Sequence, residues 1–351
     1  LNGHYVGFSS DSFTPSDFEL TQYLVEGENK LACRVERWSA GSWLEDQDFM
    51  RMSGLFRDVY LYAIPKAHIA DLHLKTLLDD SYTDAVLDLS VQMALDPSVG
   101  ACSVSFELTD GGRLVASAAC KAEASLHVQL PVKAPKLWSS ESPYLYDLLL
   151  TVRDADGRVL VPQRVGFRRF EMKDGMMHLN GKRIVFKGVN RHDFCTDSGR
   201  VVPVETLRRD LLTMKRNNIN AVRTCHYPNS SALYALCDEL GLYVIDETNM
   251  ETHGTWETIE RGKRDIDYAL PGNRMEWAPM MLDRVNSMFQ RDKNHACILI
   301  WSCGNESFGG DVIYEMSRLF HRLDDTRLVH YEGIFHDRRH NDTSDMESQM
   351  Y

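Results

Sequence analysis

The chain has 351 residues, which is long enough for two or three domains of ~100–200 residues each. Its formal net charge is −12, with no basic run that could follow a phosphate backbone, so we expect neither nucleic acid nor an anionic membrane as a partner. No apolar run approaches the ~18 residues that span a bilayer, and the eight cysteines form no CxxC pair, so we expect mostly buried, reduced thiols and a cytoplasmic location.

Residues 1–65 contain irregular strand-like segments. Gly27-Glu28-Asn29 predicts a turn, and the apolar run at 59–62 favours a strand. The chain begins with Leu1 rather than Met. We therefore expect these residues to be the C-terminal part of an all-β domain whose beginning is missing, with any leader peptide out of sight.

Residues 66–168 alternate between apolar and polar side chains, which is the period of a half-buried strand. The clearest runs centre on Leu89, Phe106, Val128 and Leu148. Turn signals such as Asp110-Gly111-Gly112 and Asp156-Gly157 separate the runs. Short alternating strands over about 100 residues predict an antiparallel β-sandwich of the immunoglobulin type.

From about residue 169 the pattern changes to apolar strands followed by amphipathic helices. We predict strands at 184–186, 220–223, 242–245, 297–301 and 328–331. Pro203 lies near the start of the first helix, and Gly241 closes the second. Strict alternation implies parallel strands with right-handed crossovers. Residues 169–351 are therefore either an open parallel sheet or the first part of an eightfold barrel that is cut in the middle.

Unusual polar residues follow four successive predicted strands. They are Asn190-Arg191-His192-Asp193, Thr224-Cys225-His226-Tyr227, the run from Asp246 to His253, and Asn305-Glu306. A single loop histidine is usually structural or solvated, but the chemistry of a β/α barrel lies at the carboxyl ends of its strands. Four such ends therefore predict one site. We expect Asp246-Glu247 to pair with a barrel arginine such as Arg223, and Trp301 to lie in the core.

Glu306 follows the apolar residues 298–301, so we expect it at a desolvated strand end. Burial favours the neutral form of a carboxyl group, which a general acid needs at neutral pH. Beside it, the amide of Asn305 can hold a sugar hydroxyl. Glu251 and His253 are two residues apart in an expected extended loop and can present a carboxylate and an imidazole to one cation. Such ligands suit Mg²⁺, Mn²⁺ or Zn²⁺.

Long sequence blocks also match a known family. They include Arg37-Trp38-Ser39, Leu44-Glu45-Asp46-Gln47-Asp48, Arg51-Met52-Ser53-Gly54, Lys187-Gly188-Val189-Asn190-Arg191-His192, Glu251-Thr252-His253-Gly254 and Trp301-Ser302-Cys303-Gly304-Asn305-Glu306-Ser307. On these blocks the chain resembles the LacZ-type β-galactosidases of glycoside hydrolase family 2 over essentially its whole length. The resemblance implies a multidomain fold: the C-terminal part of a jelly-roll sugar-binding domain at 1–65, an immunoglobulin-like β-sandwich at 66–168, and the first half of a TIM (β/α)8 barrel at 169–351.

The resemblance implies retaining hydrolysis of terminal β-D-galactosides such as lactose by double displacement, with Glu306 as the acid/base. Other implied roles are substrate binding by Asp58, His192, His226 and Asn305, Mg²⁺ binding by Glu251, His253 and Glu306, Na⁺ binding by Asp58, and a hydrogen bond from Tyr351 to the nucleophile. The family's nucleophile closes the seventh strand, whereas the chain ends near the fifth. We therefore expect this polypeptide alone to be nearly inactive, and the full-length protein to be a homo-oligomer, such as a tetramer.

Three alternatives remain open. Another family 2 specificity, such as β-glucuronidase or β-mannosidase, is the nearest. A metal-dependent barrel hydrolase would need a His-x-His pair on the first strand, where this chain has Arg191-His192-Asp193. The third alternative is a catalytically silent carbohydrate-binding segment.

Overall fold

The computed structural model describes residues 1–155 and 157–349. Residues 1–65 contain little regular structure. Their elements are the 3-10 helices Thr21–Tyr23 and Ala40–Trp43 and the short strand β1 (Glu45–Asp46). The strand predicted at 59–62 is not formed among the described residues, because no partner strand lies beside it and its side chains are 52–74% exposed.

Antiparallel strands build the sandwich predicted for residues 66–168. They are β2 (Ala67–Leu78), β3 (Ala85–Leu95), β4 (Ser103–Asp110), β5 (Arg113–Lys121), β6 (Ser125–Val132), β7 (Tyr146–Arg153) and β8 (Arg158–Val165). One sheet has the order β2-β3-β6 and the other the order β5-β4-β7-β8. Alternate side chains face inward, so Leu87, Leu89 and Val91 of β3 share one buried core with Phe106 of β4. The period of two along the sequence is thus confirmed as a sandwich core.

A small antiparallel sheet connects the sandwich to the next domain. Its strands are β9 (Phe170–Lys173), β10 (Met176–Leu179) and β11 (Lys182–Arg183). The predicted strand at 184–186 is wrong, because the Ile184 amide donates to the Met177 carbonyl at 2.9 Å and so continues this small sheet. The first parallel strand, β12 (Gly188–Arg191), begins a few residues later, and His192 follows it directly.

The parallel sheet carries the polar strand ends identified in the sequence. Its strands after β12 are β13 (Ala221–Thr224), β14 (Tyr243–Glu247), β16 (Ile298–Ser302) and β17 (Leu328–His330), whereas β15 (Glu251–Thr252) pairs with β1. The order β12-β13-β14-β16-β17 is parallel throughout. Neighbours in sequence are therefore neighbours in space, as in the first part of a β/α barrel.

Helices separate these strands. They are α1 (Val204–Arg216), α2 (Ser231–Leu240), α3 (His253–Glu260), α4 (Ala278–Asp292) and α5 (Asp311–Leu323), with 3-10 helices at Ile266–Tyr268, Met275–Trp277, Glu332–His336 and Arg338–Thr343. Gly241 ends α2 as predicted, with a left-handed φ of 77° that suits glycine. No helix in the described part of the chain is long and apolar enough to cross a membrane.

The sandwich is fixed to the end of the parallel sheet where the strands begin. Trp138 is fully buried, and its indole N–H donates to the Asp238 carbonyl in α2 at 2.9 Å. The guanidinium group of Arg168 donates to the carbonyls of Ala296 and Ile298 at 2.7 and 2.8 Å. The opposite edge of the sheet, where the strands end, carries the candidate site.

All eight cysteines are free thiols. Five are buried as predicted, but Cys33 is exposed in the irregular region 1–65. Trp301 is fully buried and stacks on Phe320 of α5, which confirms its place in the core.

Candidate active site

Polar side chains from successive strands meet at the carboxyl edge of the parallel sheet. His192 follows β12, His226 follows β13, Glu247 ends β14, and Asn305-Glu306 follow β16. The strands are parallel neighbours, so their carboxyl ends lie side by side. The structure therefore brings together most of the site residues predicted from the sequence.

Glu251, His253 and Glu306 form a compact cluster that fits a cation. Their ligand atoms lie within 4.8 Å of one another, with His253 Nδ1 3.0 Å from Glu306 Oε2 and 3.4 Å from Glu251 Oε1. Among the described residues, the buried Oε2 of Glu251 and Nδ1 of His253 have no hydrogen-bond partner. Burial raises the pKa of Glu251, and the nearby Glu306 carboxylate adds to this effect. A divalent cation would give the unpaired atoms a partner and would offset the burial and repulsion of the Glu251 charge, so the donor set fits Mg²⁺.

The expectation of an extended loop around this cluster is only partly right. Glu251 and Thr252 are extended in β15, but His253 is the first residue of α3. The α3 helix was missed because its eight residues, HGTWETIE, carry no long apolar period.

Glu306 sits on a strained turn. Its backbone φ is +30°, which is uncommon for a residue with a side chain. Gly304 before it has a φ of +135°, and a Cβ there would lie 2.7 Å from the Met250 carbonyl oxygen. The Glu306 amide donates to Glu332 Oε1 at 2.6 Å. Strained backbone of this kind concentrates at functional sites, where the surroundings hold it in place.

Glu332 is a site residue that the sequence interpretation missed. It follows β17 with one residue between, and its side chain is buried. Burial raises the pKa of Glu332 to about 7, although the hydrogen bond from the Glu306 amide opposes this effect. Applying the strand-end rule to the fifth predicted strand would have identified it.

Glu247 connects three polar residues of the site. Its carboxylate accepts hydrogen bonds from Arg223 at 2.7 Å and from Ser302 at 2.6 Å, and it lies 2.6 Å from His226 Nδ1. Arg223 also donates to the Asn305 side-chain oxygen at 3.0 Å. Burial opposes the charge on Glu247, but Arg223 and His226 outweigh it and lower the pKa of Glu247 to about 2. Glu247 is thus a fixed anion that orients both His226 and, through Arg223, Asn305.

The prediction that Asp246-Glu247 pairs with Arg223 is therefore right for Glu247 and wrong for Asp246. Successive residues of a strand point to opposite faces, so the two carboxylates cannot share one partner. Asp246 is fully buried on the other face and accepts a hydrogen bond from the Tyr234 hydroxyl at 2.5 Å.

His192 and His226 face each other at the ends of β12 and β13. Their rings are perpendicular, with centroids 5.6 Å apart, and Phe49 stacks on His192 at 4.5 Å. Burial lowers the pKa of His192 to about 4, and His226 and Arg200 contribute to the shift. His192 is therefore a neutral imidazole at neutral pH.

A segment of the first region docks onto the cation cluster, which the sequence did not predict. Strand β1 pairs with β15 in parallel, so that Glu45 lies opposite Glu251 and Asp46 opposite Thr252. The Asp46 carboxylate accepts a hydrogen bond from the Gly254 amide at 2.6 Å. In the same segment, the Asp48 amide donates to Glu251 Oε1 at 3.2 Å.

The docked segment is held by a buried cation. Arg284 of α4 is 1% exposed and donates to Glu45 Oε1 at 2.8 Å and to the Asn249 carbonyl at 2.6 Å. Gln47 donates to the Asn249 side-chain oxygen at 2.8 Å. These contacts fix the loop that carries Glu251 and His253 against residues 45–48.

The structure does not bring every predicted site residue of the described part of the chain into this arrangement. Asp58 is exposed and lies outside the contacts described above. Tyr351 lies outside the described residues.

Comparison with known proteins identifies the class to which this fold and site belong. The profile described as "Glycosyl hydrolases family 2, TIM barrel domain" matches residues 170–351, and the sugar-binding and central profiles of the same family match residues 1–65 and 67–168. The chain belongs to glycosyl hydrolases family 2.

Curated relatives match the whole chain. It is 54% identical to a protein of Halalkalibacterium halodurans named "Beta-galactosidase", of which it covers 35%, and 52% identical to one of the same name from Streptococcus thermophilus, of which it covers 34%. The chain thus spans about a third of the length of these relatives.

Solved structures share the fold. The apo structure of Bacteroides uniformis β-glucuronidase 3 superposes with a TM-score of 0.74 at 23% identity, over 88% of this chain and 38% of that one. The Parabacteroides merdae β-glucuronidase gives 0.70 at 25% identity, over 82% and 36%.

Proposed function

We propose that this chain is part of a retaining β-galactosidase that removes terminal β-D-galactose from substrates such as lactose. The observation that carries the proposal is the convergence of Glu306, Asn305 and His226 beside the Glu251–His253 pair at one edge of the sheet. The relatives named "Beta-galactosidase", at up to 54% identity, support galactose as the sugar.

In the proposed reaction, Glu306 is the acid/base. As a carboxylic acid it gives its proton to the glycosidic oxygen while a second carboxylate, ~5–5.5 Å from Glu306, attacks the anomeric carbon. As a carboxylate it then takes a proton from the incoming water. Asn305, oriented by Arg223, is placed to hold a sugar hydroxyl. His192 and His226 are placed to line the sugar pocket, with His226 held by Glu247.

We also propose that the attacking carboxylate lies outside this chain. The family resemblance implies a seventh barrel strand for it, whereas the parallel sheet of the described residues has the five strands β12, β13, β14, β16 and β17. This chain, purified from a host that lacks β-galactosidase, should not hydrolyse lactose. Hydrolysis at a rate abolished by Glu306→Gln would contradict this part of the proposal.

A bound Mg²⁺ would place positive charge beside Glu306 and so tune its proton affinity. Glu251, His253 and Glu306 are the residues that would hold it. The proposed Na⁺ at Asp58 rests on the family resemblance alone. We further propose that the full-length protein is oligomeric, which light scattering tests directly; two relatives, from Lactobacillus acidophilus and Leuconostoc lactis, are named "Beta-galactosidase large subunit".

Calorimetry with this chain tests the sugar specificity. Galactose should bind, glucuronate and mannose should bind at least ~10-fold more weakly, and His226→Ala should weaken galactose binding by a similar factor, since a lost hydrogen bond to a substrate hydroxyl costs ~1–3 kcal/mol. A preference for glucuronate would replace the proposal with the β-glucuronidase alternative.

A further inference from the structure

We propose that Cys225, His192 and His226 form a second metal site, distinct from the Glu251–His253–Glu306 cluster, which takes a borderline-soft divalent cation such as Zn²⁺. The Cys225 sulfur and one ring nitrogen of each histidine lie within 4.8 Å of one another. A thiolate with two imidazoles is a ligand set that Zn²⁺ binds and that Mg²⁺ avoids. Three protein ligands leave the fourth tetrahedral position for water.

The surroundings of both histidines are those of metal ligands. His226 Nδ1 lies 2.6 Å from Glu247 Oε1, and His192 Nδ1 lies 3.3 Å from the Tyr227 hydroxyl. Ligating histidines in metal sites use their second nitrogen in this way, because the outer partner fixes the ring and makes it a better donor. With each Nδ1 engaged, we assign Nε2 of both rings to the cation.

The site is fully buried at Cys225 and slightly exposed at His226. Cys225 is 1% exposed, whereas the side chain of His226 is 14% exposed. Cys225 is a thiol at neutral pH, so binding breaks its S–H bond, forms a sulfur–metal bond and releases one proton to the solvent. Neither redox change nor a further reactant is required.

The consequence is a site at which a soft cation and a sugar compete. The proposed function assigns His192 and His226 to galactose binding as well. The overlap of the metal site with the sugar pocket rests on that assignment, whereas the metal site itself does not. Zn²⁺ would then block the sugar pocket, whereas Mg²⁺ at the neighbouring cluster would leave it open.

Titration of the chain with Co²⁺ tests the metal site. A thiolate ligand gives Co²⁺ an intense charge-transfer absorption that carboxylate and imidazole ligands do not give, so the cation cluster at Glu251 is silent in this measurement. The absorption should appear with one equivalent of Co²⁺, disappear in Cys225→Ser, and persist in Cys297→Ser, a control at the buried thiol whose sulfur lies within 4.8 Å of ligand atoms of Asp238 and His295. Its absence from the wild type, or its persistence in Cys225→Ser, overturns the proposal.

A second variant tests the metal site independently, in case Cys225→Ser does not fold. His192→Gln should keep the circular dichroism of the wild type and weaken Co²⁺ binding by at least ~10-fold, because losing even an outer partner of a ligand costs 10–100-fold. Unchanged affinity in this variant overturns the assignment of His192. Saturating galactose should weaken Co²⁺ binding, and unchanged Co²⁺ affinity with galactose bound overturns the overlap. If galactose does not bind at all, the proposed function fails, while the absorption still decides the metal site.

Discussion

The two ends of the parallel sheet differ in how completely their buried polar groups are hydrogen-bonded. Where the strands begin, Asp324 accepts hydrogen bonds from Trp301 and Arg327 at 2.9 and 2.7 Å, and Asp238 Oδ2 lies 2.6 Å from His295 Nδ1. Where the strands end, the atoms without a hydrogen-bond partner among the described residues include Glu251 Oε2, His253 Nδ1 and Glu332 Oε2. His73 Nε2 is the exception near the first end, and burial lowers the pKa of that ring to about 4 and so keeps it neutral.

We interpret the paired groups where the strands begin as stabilising the fold, and the groups with unpaired atoms where the strands end as ligand-binding groups. A buried polar group without a hydrogen bond costs about 1–3 kcal/mol of stability. Such groups at the carboxyl end of the sheet therefore call for an explanation, and ligand binding supplies one. The paired end is expected to respond to mutation with a loss of stability. The unpaired end is expected to respond with a loss of ligand binding.

Removal of Asp324 should have the largest effect. In Asp324→Ala, the buried Arg327 loses its partner and the Trp301 indole loses its acceptor, which should lower the free energy of unfolding by about 3–5 kcal/mol in urea titrations. The matched control is Asp325→Ala, at a neighbour that is 75% exposed and forms an ion pair with Lys75, where the loss should stay below about 1 kcal/mol. Equal losses in the two variants would contradict the comparison.

Glu247 sharpens the comparison because it is a paired carboxylate at the unpaired end. Its pKa is lowered to about 2 from an ordinary 4.5. The charge on Glu247 therefore stabilises the fold fully at pH values above 4.5, and this stabilisation is lost as the pH falls towards 2. This contribution should be about 3 kcal/mol at neutral pH. The measurement is the difference in unfolding free energy between wild type and Glu247→Gln, which should shrink as the pH is lowered from neutral to about 3. A pH-independent difference would show that the charge itself does not matter.

Glu251 should show the opposite behaviour. Mg²⁺ at ~100 times its dissociation constant should stabilise the wild type by about 2.7 kcal/mol and leave Glu251→Gln unchanged, as measured by thermal unfolding. Because burial raises the pKa of Glu251, its charge costs stability as the pH rises above 4.5, so without metal the variant should be at least as stable as the wild type near neutral pH. Glu260→Gln, at the exposed last residue of α3, is the control and should keep the full Mg²⁺ effect.

The smallest effect is expected where β1 docks on this loop. Asp46→Asn removes the negative charge that accepts from Gly254 at the start of α3, which should cost about 0.5–1 kcal/mol of local stability. Hydrogen exchange at the Gly254 amide should accelerate by the corresponding factor. Asp48→Asn should leave it unchanged, because Asp48 contacts Glu251 through its backbone amide.

The sequence predicts what depends on local pattern. The alternation around Leu89 gave the sandwich, and the strand–helix alternation gave the parallel sheet and placed His226 and Glu306 at its carboxyl edge. Each of these properties is set by residues close together in the chain. The error at 184–186 has the same origin, because these residues are as apolar as those of a barrel strand. Only the hydrogen bond of Ile184 to Met177 shows that the segment continues the small antiparallel sheet.

The rest of the site depends on partners that pattern does not reveal. Nothing near Glu45 indicates that Arg284 will bind it, and nothing near Glu306 indicates that Glu332 will accept its amide. Such contacts follow from the three-dimensional arrangement of loops, which local periodicity does not specify.

The pairing of β1 with β15 also has a consequence for the order in which the protein assembles. The Asp46–Gly254 contact joins residues 208 apart in the chain, and contacts of such long range form late, because a large loop must close before they are gained. The sheet and sandwich close over much shorter distances. During refolding, the docking of β1 on β15 is therefore expected to follow formation of the compact core, as a separate and slower kinetic phase.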